Sequence, residues 1–561
     1  MPEVLGAIVI DSSLHVKLSF KGHRLPYPSW IRCLPNCVLT KKSQVTELFN
    51  YVKNCGEETK SFALLDELKA SCYSQGSVPY STEIIRFALR LRYTSLAAYE
   101  FTAKHLPLPA LRTLRRISSG SIDSWKLISS LIANSENVSR DMCLLIDEMY
   151  LQPEARYDGV SIVGVSEEKE LYTSVVCFML VSLKKPNPIV IRALPVTKLN
   201  GNLLAKAVHD CLKCANDMEI RIRAISTDNH NVNVKLFGLL SSDSSDEISG
   251  SVSFRSPFDG SVIFLIFDPV HLIKNVRNNW LKIRRFRVPS FEAEVDVFSI
   301  HITERSFIDW DILKKIFDKE NGLLLKKAPS LSFQALHPFN KKQNVPLAIA
   351  VFDIRNAAAI ESYFPEDQIA LATASFIRLI YVWWNILNAK SVNNPLQLAN
   401  GIRKNDGKIA FLHKFAKWIM TWNAFSKQTQ KALAQSSLAI ALLSEALLDE
   451  QYDFILTSRF QTDYIEKRFS YYRQMSGGRF LVSLYDVKKS EKIIQVLKIL
   501  QHEESLCDVL VREETVATET LLTPCHTITH CQITRTRSPL SLLDISLSNF
   551  RRRTALLAMR F

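Results

Sequence analysis

Apolar positions follow two rhythms along the 561-residue chain. Between Pro79 and Arg116 they recur at helical spacing: Ile84, Phe87, Ala88 and Leu91 share one face of a helix that Ser81 is placed to cap. A second short helix runs from Ser95 to His105, and a third follows Pro109 and presents Arg112, Arg115 and Arg116. Three short helices with a basic last member predict a helix-turn-helix-like unit. From Met142 the rhythm changes to strands. MCLLI running into Asp147, then GVSIVGV, then LYTSVVCFMLVSL predict an antiparallel meander. A strand at Pro188–Leu194, a helix over Gly201–Asp217 and a strand over Ile220–Thr227 follow; a further strand, Val262–Phe267, leads through Asp268 into a helix over Val270–Ile283. This alternation favours parallel pairing. From about Ser290 to Glu450 the pattern predicts helices only, in WDILKKIF, AIESYF, ASFIRLIYVWWNILN and SSLAIALLSEALL. A closing helix begins near Thr462 and stops at Gly477-Gly478, a last helix runs from Leu484 to about Glu504, and a Ser/Thr-rich tail follows. The first 78 residues show a strand-like opening, a Pro-containing loop and a helical stretch from Lys42 to Ala70.

Composition narrows the function. Hydrophobic residues at 47% and charged residues at 22% are ordinary globular usage. Sixteen glycines are under half the usual share of about 7%, and neither a P-loop nor a dinucleotide fingerprint is present. The net charge of +14 points to a polyanionic partner where the basic residues cluster. The start lacks a basic region and a cleavage site, and apolar runs such as Val262–Phe267 and Ser174–Leu183 stop well short of the roughly 20 residues that span a bilayer. A soluble chain with no membrane partner is expected. Eleven cysteines without a repeating frame suit reduced thiols, and Cys211-x-x-Cys214 lacks the second half of a zinc site.

The chemistry lies in acids at strand ends. Asp147, Asp228 and Asp268 each follow a strand, while Asp463 and Glu466 lie three apart on one helical face. Converging carboxylates repel unless cations hold them, and hard oxygen donors favour Mg²⁺ or Mn²⁺, a pair of which suits phosphodiester displacement. An acid on the first strand, another after a later strand and a third on a distant helix follow the RNase H-like plan. Taken singly, an acid at a strand end is more often a turn-former or cap than a ligand, and the combination carries the argument. The run from Lys274 to Arg287 carries Arg277, Lys282, Arg284 and Arg285 without an acid; it suits a phosphate backbone or a solvated helix face. His271 suits a scissile phosphate or a structural cap, and Trp383 and Trp384 a base or a core.

Four strings carry a family resemblance: FILTSRFQTDYIEKRFSYYRQMSGGRF, FDPVHLIKNVRNNW, LLIDEMYL and YSTEIIRFALRLRYTSLAAYEFTAKHLPLPALRTLRR. They resemble, in order and spacing, the corresponding blocks of P-element-type, THAP-containing transposases over roughly residues 79–500. The resemblance implies a metal-dependent DNA transposase whose catalytic, metal-holding acids are Asp147, Asp228 and Glu466. Asp463, Asp268, His271 and Lys274 would support them. It also implies a GTP-binding insertion, a homo-oligomer, DNA as partner and a nuclear location.

Two departures stand out. The first 78 residues contain no THAP finger spacing. The nucleotide-reading positions of the insertion fall on Asn344, Val345, Asn385 and Asn388, where the family has a lysine before the valine and a carboxylate in place of Asn385. Losing that carboxylate weakens guanine preference by about 1.5–3 kcal/mol. The expected architecture is α/β: a helix-turn-helix-like unit over 79–126 that binds DNA or dimerises, then an RNase H-like mixed sheet over 127–285. A helical insertion of GTP-binding type follows over 286–450, with closing helices over 451–500. These are flanked by 1–78, of unassigned fold, and a tail over 501–561. The rival expectation is a domesticated, catalytically inactive DNA-binding or scaffold protein.

Overall fold

A computed structural model describes residues 80–501, apart from 81, 105–107, 118–123, 134–138, 159–160 and 242–251, together with three short strands near the start. Those three strands, Gly6–Ile10, Val16–Phe20 and His23–Arg24, pair antiparallel in sequence order and agree with the strand-like opening. The helix expected over Lys42–Ala70, the capping role of Ser81 and everything beyond Gln501 lie outside the described residues.

The helix-turn-helix-like unit consists of α1 (Thr82–Thr94), α2 (Leu96–Thr102) and α3 (Leu111–Ile117). Ser95 stops α1 and caps α2, its hydroxyl accepting the Ala98 N–H at 3.2 Å. Ile84, Ala88, Leu89, Tyr99, Leu108 and Leu114 bury a small core to which Val496 is added from the far end of the chain. A fourth helix, α4 (Ser124–Ala133), leads to the sheet.

Six strands form that sheet: β1 (Asp141–Tyr150), β2 (Ser174–Ser182), β3 (Ile189–Val196), β4 (Arg221–Thr227), β5 (Ser253–Arg255) and β6 (Val262–Phe267). Their spatial order is β5-β6-β4-β1-β2-β3, with β1, β2 and β3 antiparallel, β4 parallel to β1, and β6 parallel to β4. The meander skips GVSIVGV, whose described residues supply the two-residue strand Ile162–Val163, paired with Arg156–Tyr157, and a bridge between Val165 and Leu171. β2 is buried along its whole length, as expected of a continuous apolar run between two strands of a layered sheet. Between β3 and β4 runs α5 (Gly201–Asp217), and α6 (Asn231–Leu240) follows β4. Beyond β6, α7 (Pro269–Ile283) begins with Asp268 as its cap and Pro269 in its first turn.

The segment expected to be helical throughout opens instead with four short strands. Arg285–Val288 pairs with Ser306–Asp309, and Phe291–Val295 with Phe298–Ile302, all antiparallel. The physical reason is visible in FEAEVDVFSIHI, where apolar residues alternate with a period of two and bury alternate side chains. The helices come afterwards: α8 (Asp311–Lys319), α9 (Val345–Val351), α10 (Ile354–Tyr363), α11 (Gln368–Leu387), α12 (Lys408–Ile419) and α13 (Lys427–Asp449). α11 and α13 are apolar enough, at 20 and 23 residues, to cross a membrane by length and composition, which the counting of apolar runs missed; both are mostly buried within the fold. Trp280 at the end of α7 ties this segment to the sheet: it is fully buried, with Trp310, Phe352 and Phe376 ring centroids 5.1, 5.9 and 5.4 Å away.

Two closing helices, α14 (Asp463–Met475) and α15 (Leu484–Gln501), complete the described chain. Removing the Trp280 side chain leaves a void that such a rigid aromatic cluster cannot close. Trp280→Ala is therefore expected to cost about 3–5 kcal/mol, read as a lowered denaturant midpoint at unchanged slope.

Candidate active site

Strand register sets the site. Leu145 of β1 lies opposite Ser226 of β4, so Asp147 and Asp228, each two residues further on, reach the same carboxyl edge. Ser226 also pairs with Ile266 of β6, which brings Asp268 to that edge as well. The three acids have different fates. Asp147 Oδ1 accepts the N–H of Glu148 at 2.8 Å and faces a cleft lined also by Glu148, Tyr150, Asp228, His230 and Asn233. Asp228 Oδ1 accepts the His230 N–H at 3.0 Å and the Asn233 amide at 2.5 Å, which fixes its carboxylate as β4 turns into α6. Asp268 is fully buried and turned inward: Oδ1 accepts the Val270 N–H at 3.0 Å and Oδ2 the Thr462 hydroxyl at 2.6 Å.

That inward carboxylate joins the starts of α7 and α14. One turn into α7, His271 Nε2 lies 3.2 Å from Oε1 of Glu466 in the first turn of α14. Lys274, one turn further along, is buried. Asp463, expected to support Glu466, points to Lys390 at 3.8 Å.

The electrostatics bear the mark of crowded carboxylates. Burial pushes the Asp147 carboxyl up to about 7, and the charges of Asp228 and Glu466 add to the rise. Glu466 is held below its usual range by its hydrogen bond with His271, aided by the charges of His271 and Lys274 against its burial. For His271, burial opposes the charged form, but the bond to Glu466 and the charges of Asp268 and Asp228 outweigh it and the net shift is upward. Surplus negative charge at a strand edge, built only from hard oxygen donors, suits a divalent cation that Asp147, Asp228 and Glu466 would hold. As placed, no three His, Cys, Asp or Glu side chains among the described residues surround a single ion. Asn233, His230 and Thr462 escaped sequence reasoning; the only signal for them was polar density in the turns adjoining Asp228 and Glu466.

The remaining expected residues divide. Asn344 caps α9 through the Leu347 N–H at 3.0 Å, Val345 is half-buried, Asn385 donates to the Tyr381 carbonyl at 2.8 Å, and Asn388 accepts from Gln461 at 3.1 Å. No hydrogen bond joins these four to one another. Arg112 is exposed on α3; the side chains of Arg115 and Arg116 lie outside the described part. Arg277 corrects the expectation of a phosphate-tracking face. It is fully buried, donating to Asn278 at 2.8 Å and to the Lys342 carbonyl at 2.9 Å, and a guanidinium so enclosed cannot reach a DNA backbone. Arg284 pairs with Asp311, whereas Lys282 and Arg285 are exposed, the latter over the Phe307 ring at 4.4 Å.

Comparison with known proteins fits this geometry. A family model described as "TNP-like, RNase H N-terminal domain" matches residues 121–241, and one described as "Transposable element P transposase-like, HTH domain" matches residues 39–116. Among solved structures, the fold is similar to the Drosophila P element transposase strand transfer complex, with a TM-score of 0.63, 20% identity, and 82% of this chain and 99% of that one covered. No curated protein matches the chain. The P-element resemblance and the RNase H-like fold read from the sequence are thus borne out.

Because the Asp147 carboxyl is raised, the stability tied to its protonated form is present at low pH and lost as pH rises through about 7. Asp147→Asn has no such loss. In metal-free buffer its thermal midpoint should exceed that of the wild type at pH 8, with the difference shrinking towards pH 5. An offset that stays constant across this range would contradict the crowded-carboxylate account.

Proposed function

We propose that this chain is a transposase-type protein that cleaves DNA and transfers strands with metal-dependent RNase H-like chemistry. One observation carries the reading: Asp147 and Asp228 share one edge of adjacent parallel strands, and the distant Glu466, bonded to His271, is near enough for its charge to raise the Asp147 carboxyl. A bound divalent cation, Mg²⁺ or Mn²⁺, would offset negative charge at the reacting phosphate and lower the cost of forming a nucleophile from water or a 3′-hydroxyl. The chain's own residues prepare the site. Asn233 and the His230 N–H hold the Asp228 carboxylate in place. His271 holds Glu466 as the carboxylate, and the buried ammonium of Lys274 lends positive charge where the phosphodiester would lie. The same reading places the protein in the nucleus as a relative of THAP-containing transposases, with DNA and further copies of itself as partners. Arg112, Lys282 and Arg285 are the exposed cations offered to DNA.

GTP belongs to this reading only in weakened form. At Asn385 an amide stands where the family's carboxylate would take guanine N–H groups, and its nitrogen is already committed to the Tyr381 carbonyl. That replacement favours a second reading, a catalytically silent DNA-binding or scaffold descendant.

Two experiments separate these readings. On supercoiled DNA with Mg²⁺ or Mn²⁺, the wild type should nick while Asp147→Asn and Glu466→Ala lose at least about a hundredfold in rate; equal background from all three would leave the scaffold reading. On guanosine resin, Asn385→Asp should be retained more than tenfold better than the wild type, matching about 1.5–3 kcal/mol for a charge-assisted bond. Equal retention would show that Asn385 does not set nucleotide preference.

A further inference from the structure

Between Glu320 and Asp353 the chain carries Lys326, Lys327, Lys341 and Lys342 and not one acid. The same stretch exposes large rings that could have been buried. Phe333 is 54% and Phe339 68% exposed, and His337 lies between them, with ring centroids 4.8 Å from Phe333 and 6.2 Å from Phe339. Phe333 and Phe339 are themselves 6.2 Å apart, and Phe317 of α8 continues the row at 6.5 Å from Phe333. Cations flank the row at both ends. The Lys326 ammonium lies 5.9 Å from the Phe317 centroid, and Lys341 reaches Gln334, the neighbour of Phe333, at 3.5 Å. Every residue from Phe339 to Asn344 is exposed, so Lys341 and Lys342 lie at the surface beside the rings.

We propose that this face of the insertion is a stacking surface for single-stranded DNA. Adjacent, exposed aromatic rings on a stretch that carries lysines and no acid, with Asp318 beside Phe317 at its margin, combine the two elements such binding needs: a π-platform for bases and an electrostatic track for phosphates. Paired bases hide their faces in the helical stack, so the protruding phenyl rings favour unpaired strands, while the lysines alone would serve either form. The inference goes beyond the cleavage chemistry because it uses no side chain of the Asp147 edge.

Fluorescence anisotropy of the full chain, with a labelled oligothymidylate and a duplex of equal length, tests it. The Phe333→Ala/Phe339→Ala variant should bind the single strand at least tenfold more weakly, in line with the known effect of removing a stacking ring, and the duplex within about twofold. Phe333→Trp/Phe339→Trp should bind the single strand at least as well as the wild type. Lys341→Ser/Lys342→Ser should reduce the slope of log affinity against log salt for single strands by about 1.4. Both ring positions are exposed, so the alanine variant should keep the wild-type thermal midpoint, which separates lost stacking from lost folding. Undiminished single-strand binding by the alanine variant would overturn the proposal, as would an equal loss on duplex. A loss confined to anionic vesicles or to self-association would do the same and reassign the face to a membrane or to a second copy. Nicking activity enters none of these readouts, so failure here and failure of the catalytic reading stay distinct.

Discussion

A single buried carboxylate organises the site. Asp268 has no exposure to water, and an ionisable group in that position is tolerable only if its oxygens are occupied. One oxygen takes the Val270 N–H and caps α7; the other takes the hydroxyl of Thr462 at the start of α14. Two helices far apart in sequence are therefore locked at their N-termini, and the next turn of each delivers His271 and Glu466 to a 3.2 Å contact. Burial pushes the Asp268 carboxyl up while its two hydrogen bonds and the neighbouring His271 pull it down. Its work is positional, and the outward-facing Asp147 and Asp228 are left for chemistry.

The insertion is part of this arrangement as well as an addition to it. β5 pairs with β6 only as far as Phe264, so the end of β6 is paired with β4 on one side and has no paired strand, among the described residues, on the other. α13 covers that edge: the Ser436 hydroxyl accepts the Phe267 N–H and donates to the Phe267 carbonyl, each at 2.9 Å, immediately before Asp268. At the opposite end of the sheet, Arg223 of β4 grips Glu450 through two bonds of 2.9 and 2.6 Å as the chain returns from α13. A third polar knot steadies α14 from behind. Arg468 and Tyr472 converge on the buried Glu491 of α15, and Arg468 and Lys498 both donate to the Pro188 carbonyl beside β3. Such pairs add little net stability when buried, but breaking one partner is costly, which makes them good registers for helix position.

The basic surplus is distributed by function. Arg277 and Lys274 are drawn into the interior of α7, the one to hold a carbonyl of the insertion, the other to face the carboxylates. Lys282, Arg285 and the lysines flanking the Phe333–Phe339 row stay outside, where a polyanion can meet them. A run of like charges in the sequence is thus split by helix geometry into buried braces and exposed contacts.

Much of the plan was legible along the chain. Strand periodicity placed Asp147 and Asp228 at the carboxyl edge, Asp228 just past β4 and Asp147 within β1, which runs on to Tyr150 beyond its parallel pairing with β4, and parallel register carries the two across the sheet. The helix around Glu466 and the three short helices of the first unit were equally local. Two of the four strands at 285–309 were also encoded locally, in the alternation of FEAEVDVFSIHI, but were hidden by the helices around them. Tertiary structure alone decided that Asp268 would turn inward, that Arg277 would be buried and that His271 would meet Glu466, 195 residues away. Those choices depend on which surfaces are excluded from water once distant segments pack. Periodicity records which face of an element is apolar but not which remote partner will cover it.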